Sequence, residues 1–219
     1  MDDGLEKESP ARLPWKLSRG AMSVPRSIHQ LSGMRAMSIT GATPEWTYAE
    51  YARLPDDGNR YEVIDGEVCV TPAPGPPHQR VAAELFVLLR EYVRDHSLGE
   101  MLWDVDLLFV SGQFLRPDML FVPADSAAGV SDRGMEVTPG LVVEVLSPHS
   151  KRIDRIKKPP RYRDFGLPEY WVVDPEARTI ERYRLAADAA PEICGGILAW
   201  QPDPNTPALE LDVVRVFET

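Results

Sequence analysis

The chain has 219 residues, of which 43% are hydrophobic, and carries a formal net charge of −10 at pH 7. This acidic average excludes a protein that coats nucleic acid through a uniformly basic surface, because phosphate binding depends on lysine and arginine. No apolar run approaches the ~20 residues that cross a bilayer, and the N-terminus lacks the apolar stretch of a secretory signal, so we expect a cytoplasmic protein that does not enter a membrane. Cys69 and Cys194 lie far apart and outside any CxxC motif, which argues against a zinc site or a disulfide framework.

The first 42 residues show no sustained periodicity, whereas the remainder of the chain is patterned. We therefore expect a poorly ordered extension over residues 1–42 and a single domain over residues 43–219. A translation start further along the chain, at Met37, would leave residues 1–36 outside the native product. The sequence does not separate these two alternatives.

The patterned part predicts one short helix, one hairpin, one long helix and several strands. Thr47 and Glu50 have the spacing of a capping box, which predicts a short helix that starts at Thr43 or Thr47. Asp65-Gly66 between two β-prone runs predicts a hairpin with a type I′ turn. The run HQRVAAELFVLLREYVRD has the periodicity of an amphipathic helix. The predicted strands are MLWDVDLLFV, PDMLFV, LVVEVLS, EYWVVD, TIERYRL and ALELDVVRVF.

Two acidic residues stand in or beside the most apolar of these strands. Glu144 shares one strand face with Val142 and Leu146, and the other face is apolar as well, so Glu144 is expected to be buried. Asp118 directly precedes the apolar run from Met119 to Val122. If the two strands are neighbours, both acids can be ionised only when a cation lies between them. A hard cation with oxygen ligands, Mg²⁺ above all, fits two carboxylates and a backbone carbonyl.

A plainer alternative needs no metal. Residues 151–163 contain seven basic residues against the single acid Asp154, a local charge of +6. This run can be a solvated helix face, it can contact phosphates, or it can supply an ion-pair partner for Glu144. In the same reading Asp118 merely caps a turn after Pro117. Asp104 and Asp106 alternate along MLWDVDLLFV, where they are either an exposed polar face or acids that support the site.

From Thr47 to Leu185 the chain resembles the Uma2 family of restriction-endonuclease-like proteins, a branch of the PD-(D/E)XK nuclease superfamily. The segments that carry the resemblance are YEVIDGEV, PPHQRVAAELFVLL, RPDMLFV, LVVEVLSPHSKRIDRIKK and YRDFGLPEYWVVDPEARTIERYRL. The resemblance implies an α/β (α+β) fold with a restriction-endonuclease-like core, in which helices flank a central mixed sheet and an N-terminal β-hairpin is present. It also implies Mg²⁺-dependent phosphodiester cleavage, with Mn²⁺ as a substitute, a nucleic acid substrate with DNA as the first candidate, and a homodimer.

The resemblance assigns roles residue by residue. Asp118 and Glu144 fall on the family's metal-binding acids, and the carbonyl of Val145 would complete the ligand set. Leu146 stands where the superfamily has its catalytic lysine, and Lys158 falls where this branch supplies one. Glu62 and His78 match characteristic positions with less defined roles, although His78 by itself reads as a capping or packing residue. The residues expected to hold the nucleic acid are Lys151, Arg152, Arg155, Lys157 and Arg161.

Pro159-Pro160 departs from the family pattern, because proline removes amide donors and restricts the residue before it. The sequence therefore predicts that Lys158 lies on a loop, where Lys157 or Lys151 could take its place. The leading expectation is a metal-dependent endonuclease with Asp118, Glu144 and Lys158 as catalytic residues. The alternative is a catalytically decayed nuclease fold that serves as a nucleic-acid-binding or protein-interaction module.

Overall fold

The computed structural model describes residues 46–187 and 189–218, and the extension expected over residues 1–42 lies outside them. The helices are α1 (Tyr48–Tyr51), α2 (Pro76–Asp95), α3 (Lys158–Asp164) and α4 (Val213–Val216), with a 3₁₀ helix at Ala124–Gly129 and a π-helical turn at Ile153–Lys157. The strands are β1 (Arg60–Ile64), β2 (Glu67–Thr71), β3 (Gly99–Trp103), β4 (Leu107–Leu108), β5 (Phe114–Leu115), β6 (Met119–Pro123), β7 (Val130–Ser131), β8 (Gly134–Met135), β9 (Leu141–Val145), β10 (Glu169–Asp174), β11 (Thr179–Arg184), β12 (Glu192–Cys194), β13 (Ile197–Trp200) and β14 (Leu209–Asp212).

The first elements follow the local signals in the sequence. Thr47 caps α1, and its side chain and that of Glu50 form the reciprocal hydrogen bonds of a capping box. β1 and β2 pair as an antiparallel hairpin. Its turn residues Asp65 and Gly66 have φ angles of 55° and 74°, as a type I′ turn requires.

A six-stranded sheet in the order β12-β11-β10-β9-β6-β3 forms the centre of the fold. It is mixed, because β9 and β10 pair parallel while β6 and β9 pair antiparallel. A second six-stranded sheet has the order β2-β1-β5-β4-β8-β7, and β13 and β14 form a separate two-stranded sheet. The predicted fold class, a mixed α/β structure with helices beside a central sheet, is confirmed.

Strand β9 is covered on both faces, as its continuous apolar sequence predicts. Leu141, Val143 and Val145 belong to the hydrophobic cluster that contains the buried face of α2. Val142 and Leu146 belong to the cluster that contains residues of the second sheet and of α3. Glu144 alternates with Val143 and Val145, and its side chain therefore enters the layer between the central sheet and the second sheet.

Two strand predictions are corrected. The run MLWDVDLLFV is not one strand, because Asp104, with a φ of 54°, ends β3 and the chain crosses from the central sheet to β4 in the second sheet. Asp104 and Asp106 therefore do not alternate on an exposed face; both lie within 4 Å of the Arg116 guanidinium. The run ALELDVVRVF is a strand only as far as Asp212, whose side chain caps α4. None of the helices in the described part of the chain has the length and apolar composition needed to span a bilayer.

Asp174 closes the turn between β10 and β11. Its Oδ1 accepts hydrogen bonds from the amides of Glu176 and Ala177 at 2.9 and 3.0 Å, and its Oδ2 accepts one from Arg155 at 2.7 Å. Burial would raise the pKa of Asp174, but these donors outweigh burial and hold it below its usual value. A depressed folded-state pKa gives stability that is present above the unfolded-state pKa of about 3.9 and is lost as the pH falls through the folded-state value.

We expect Asp174→Asn to lower the free energy of unfolding by about 1–3 kcal/mol at pH 7, because the charge-assisted hydrogen bond to Arg155 is lost. The deficit should shrink below about pH 4, where Asp174 of the unfolded wild-type chain begins to take up a proton, and should become smallest below the lower folded-state pKa. Urea denaturation at pH 7 and below about pH 4 measures the loss in free energy of unfolding. Asp56→Asn, at an exposed position, is the control. A deficit of equal size at both pH values would show that the carboxylate charge has no part in it.

Candidate active site

Asp118 directly precedes β6, and Glu144 lies in the neighbouring strand β9. In the antiparallel register of β6 and β9, Leu120 is opposite Val142. The same register, continued to the residue before β6, places Asp118 opposite Glu144. Residues opposite each other in this way typically have Cβ atoms about 4.5–5.5 Å apart. Both carboxylates are only 2% exposed. Two buried acids therefore share one small region of the layer between the sheets.

Asp118 is held by three donors. Arg60 Nη1 donates to Oδ1 at 2.7 Å, while His78 Nε2 and the Val145 amide lie 3.0 and 2.8 Å from Oδ2. Burial by itself would raise the pKa of this carboxyl group, yet the donors outweigh it and lower the pKa to about 2, with His78 and Arg60 contributing most. An ionised Asp118 accepts only, so the His78 tautomer that fits carries its proton on Nε2. Asp118 is therefore ionised throughout the physiological pH range.

Glu144 has a different environment, because it shares one cation with two other acids. Lys158 Nζ lies 2.7 Å from Glu144 Oε1, 2.9 Å from Glu62 Oε1 and 3.0 Å from Asp154 Oδ1. Tyr162 also donates to Glu144 Oε1, at 3.2 Å. All four charged side chains are at most 3% exposed. Burial, together with the neighbouring carboxylates, raises the pKa of Glu144 well above its usual value in spite of Lys158.

Lys158 reaches Glu144 from a helix, so the prediction that it lies on a loop is wrong. The π-helical turn at Ile153–Lys157 leads directly into α3, and the Lys158 amide bonds to the carbonyl of Ile153, five residues earlier. Pro159 and Pro160 then occupy the first turn of α3, where missing amide hydrogens are tolerated. The wide turn before the prolines keeps the segment helical and directs Lys158 into the core.

A small cavity of about 20 Å³ lies among these side chains, enough for one water molecule or one ion. The charged residues that line it are the acids Glu62, Asp118, Glu144 and Asp154 and the bases Arg60 and Lys158. Counted at their formal charges, the four acids exceed the two bases by two negative charges. Burial is the main cause of the raised pKa of Glu144, and the neighbouring carboxylates add to it. A divalent cation in the cavity would offset both effects.

The donor set fits a hard divalent cation. Within residues 46–187 and 189–218, no three His, Cys, Asp or Glu side chains are grouped as a ready-made metal site. The candidate ligands are instead the carboxylates of Asp118 and Glu144 and the carbonyl of Val145; all three residues line the cavity. Lys158 and Tyr162 both contact Oε1 of Glu144, and neither contact uses Oε2. Oxygen ligands of this kind suit Mg²⁺ and Mn²⁺.

Residues 48–213 match the family model described as "Uma2: Putative restriction endonuclease". The chain belongs to the Uma2 family. A crystal structure of "a putative nuclease belonging to DUF820" from Anabaena variabilis ATCC 29413 is similar in fold, with a TM-score of 0.62 at 20% sequence identity. That match covers 78% of this chain and 97% of the other. Among curated proteins, none matches this chain.

Of the three lysines considered for the site of this Uma2 chain, Lys158 is the one whose Nζ contacts Glu144. Lys157 donates to Glu67 at 3.0 Å, and Lys151 pairs with Glu176. Both of these contacts are on the protein surface. Among these three lysines, the one that contacts the acids is thus the one that the family resemblance assigns.

In sequence, the other basic residues of the run look like a patch of unpaired positive charge. In the structure, most of them contact acids of the protein. Arg155 contacts Asp174 and Glu181, Arg161 contacts Asp65 and Asp164, and Arg152 is exposed. Four of the five residues expected to hold nucleic acid, Lys151, Arg155, Lys157 and Arg161, are therefore paired with acids of the protein. The exposed pairs of Lys151 and Lys157 are weak and can exchange for phosphate, whereas Arg155 is held by two buried acids.

Three side chains of the site were not found from the sequence of this Uma2 member: Arg60, Asp154 and Tyr162. Asp154 and Lys158 have the i,i+4 spacing of a helical ion pair, and this signal could have linked them. Arg60 stands two residues before Glu62 and so shares its strand face. Tyr162 has no comparable signal, because its hydroxyl reaches Glu144 only after α3 packs on the sheet.

Proposed function

We propose that this Uma2 chain is a divalent-metal-dependent nuclease that hydrolyses phosphodiester bonds of nucleic acid, with DNA as the first candidate. The observation that supports it most is the position of Asp118 opposite Glu144, with Lys158 Nζ 2.7 Å from Glu144. Two carboxylates and an amine around one small cavity are the groups that metal-assisted phosphodiester hydrolysis uses. Family membership supports the same chemistry.

In this proposal Asp118, Glu144 and the Val145 carbonyl hold Mg²⁺. When bound, the ion would lower the pKa of a water molecule and offset charge on the scissile phosphate. Lys158 is kept protonated by its carboxylates and can donate to the attacking water or to a phosphate oxygen in the transition state. Arg60, whose side chain is 18% exposed, holds Asp118 ionised and adds positive charge at the cavity.

The distribution of charge bears on whether this protein can bind nucleic acid. An acidic protein repels nucleic acid unless basic groups are concentrated at the site, and the basic run next to β9 meets this need only if its surface pairs exchange. We also propose that the chain acts as a homodimer, in line with the family resemblance. Measurement of its mass in solution tests this part separately.

A second candidate function has one observation in its favour. Lys158 is tied to three carboxylates, and the donors around Asp118 already satisfy both of its oxygens. A site that is neutralised in this way can be a rigid structural core. The chain would then be a decayed nuclease fold that binds nucleic acid or another protein without cleavage.

We expect Mn²⁺ and Mg²⁺ to raise the melting temperature of the wild-type protein and to start cleavage of at least one of three substrates: single-stranded DNA, duplex DNA or RNA. Glu144→Gln removes a ligand and should abolish both effects, whereas the exposed Glu210→Gln should keep both. Stabilisation by about 2.7 kcal/mol at a metal concentration one hundred times the dissociation constant sets the scale of the shift. Metal binding without cleavage would favour the decayed nuclease fold. If metal changed neither the melting temperature nor cleavage, the charged residues around Lys158 would be a structural ion-pair cluster.

A further inference from the structure

A second pocket lies beside the catalytic cavity and has no part in the chemistry proposed above. Its volume is about 420 Å³, within the range of about 300–1,000 Å³ that ligand sites occupy. His78 and Ser147 line both the pocket and the cavity and so form a shared wall. A ligand that fills both spaces would place one group at the acids and another in the pocket.

The walls of this pocket are mostly apolar and rigid. Pro77 comes from the first turn of α2, Pro148 from the segment after β9, and Pro175 from the turn after β10. Leu146 forms part of the lining between them. We call the space the proline pocket. Pyrrolidine rings and a leucine side chain offer flat, apolar surfaces against which a planar ring can pack.

The charged groups of the proline pocket are already paired. Lys151 contacts Glu176 at its exposed rim, and Asp174 is held by Arg155. Paired charges leave little net field for a phosphate, which would also be repelled by the two acids. A neutral ring loses less by entering than an anion does. The lining therefore suits an uncharged planar group attached to a phosphate that lies beside the cavity, next to the shared wall of His78 and Ser147.

We infer that the proline pocket binds the base of a nucleotide next to the scissile phosphate, an inference that rests on the proposed nuclease function. A base within a duplex is stacked and paired, and it reaches such a pocket only when it is extruded or unpaired. The substrate class is therefore single-stranded or locally unpaired nucleic acid. Apolar side chains hold flipped or unpaired bases by stacking, without reading their sequence.

Binding tests this inference without any need for cleavage. The probes are a short fluorescent single-stranded oligonucleotide and an oligonucleotide of the same length whose bases are all removed, both measured by fluorescence anisotropy in EDTA. The two share the same phosphates, so their difference reports the bases. The wild-type protein should bind the base-bearing probe at least about tenfold more tightly, within the range that base stacking gives. A blunt duplex should bind more weakly than the base-bearing single strand.

Gly75 offers a way to fill the pocket. It lines the pocket, its φ is −77°, and an added Cβ would meet only Pro77 Cδ, at 3.8 Å. Gly75→Leu should remove the difference between the two probes, and Pro148→Ala, which shortens a wall, should reduce it. Gly196→Leu adds the same side chain where nothing lies within 4 Å and should preserve the difference.

Equal affinity of the wild-type protein for the two probes, or no binding of either, would overturn the inference. So would an unchanged difference in both Gly75→Leu and Pro148→Ala, once their melting temperatures show that they are folded. Failure of the proposed nuclease function would give a different result: the protein would bind the base-bearing probe more tightly but would not cleave nucleic acid with metal.

Discussion

Replacing Lys158 by methionine is expected to slow metal-dependent cleavage by on the order of 10²–10³-fold, the usual loss when one donor to transition-state charge is removed. Methionine keeps most of the length and apolar character of the lysine stem. The substitution also leaves Glu62, Glu144 and Asp154 without the cation they share. We therefore expect the free energy of unfolding at neutral pH to fall by about 3–5 kcal/mol. Single-turnover cleavage and urea denaturation measure the two losses.

Lys157→Met is the matched control, because it makes the same change one residue earlier at an exposed pair with Glu67. It should leave the stability close to wild type and slow cleavage far less than Lys158→Met does. Mn²⁺ should raise the melting temperature of Lys158→Met by more than it raises that of the wild-type protein, since four carboxylates then face Arg60 as their one permanent cation among the residues that line the cavity. A folded Lys158→Met that cleaves at the wild-type rate would show that Lys158 is structural.

Features that depend on residues a few positions apart were predictable from the sequence. The hairpin turn needs positive φ at two adjacent residues, and Asp65-Gly66 supplies both. The capping box of α1 needs only Thr47 and Glu50. The burial of Glu144 followed in the same way, because a short run that is apolar on both faces has to be a covered strand.

Contacts between distant segments were not predictable in this way. Arg60 donates to Asp118 across 58 positions of sequence, and nothing local to either residue signals the contact. Glu62 matched a family position without a role, and its role as a partner of Lys158 depends on the second sheet lying over the central one. Such pairs follow from topology rather than from periodicity.

Two predictions from local sequence were wrong: the loop at Pro159-Pro160 and the single strand through Asp104. Pro159-Pro160 would break an α-helix, but the preceding π-helical turn changes the hydrogen-bond spacing and the helix continues. Asp104 sits inside an apolar run that reads as one strand. Its positive φ nevertheless moves the chain from one sheet to the other, and its side chain then supports Arg60 at 3.3 Å.

The sequence offers two partners for the buried Glu144, a metal ion and a basic side chain, and the two do not exclude each other. An ion pair with Lys158 is present, but that cation is shared with Glu62 and Asp154 and does not neutralise the cluster. A purely structural core would gain from fewer acids, because uncompensated buried charge is costly. The excess of acids over bases in this cluster favours the proposed site for a divalent ion over a purely structural ion pair.

Asp118→Asn is expected to reduce metal-dependent cleavage by at least on the order of 10³-fold, because it removes a proposed metal ligand worth several kcal/mol of transition-state stabilisation. The asparagine also turns an amide donor toward Arg60 or toward the Val145 amide, both of which donate to the wild-type carboxylate. We therefore expect a loss of about 1–3 kcal/mol in the free energy of unfolding. Mn²⁺ titrations followed by melting temperature and by cleavage measure both.

Asp104→Asn is the control for Asp118→Asn, since Asp104 contacts the same Arg60 from the other side but does not line the cavity. It should weaken the support of Arg60 and yet keep the stabilisation by Mn²⁺, because both proposed carboxylate ligands remain. If Asp118→Asn kept its Mn²⁺-induced shift while Asp104→Asn lost it, the ion would have to bind at the Asp104 side of Arg60. If both variants lost stability and the wild-type protein showed no shift with Mn²⁺, the acids would serve the fold alone.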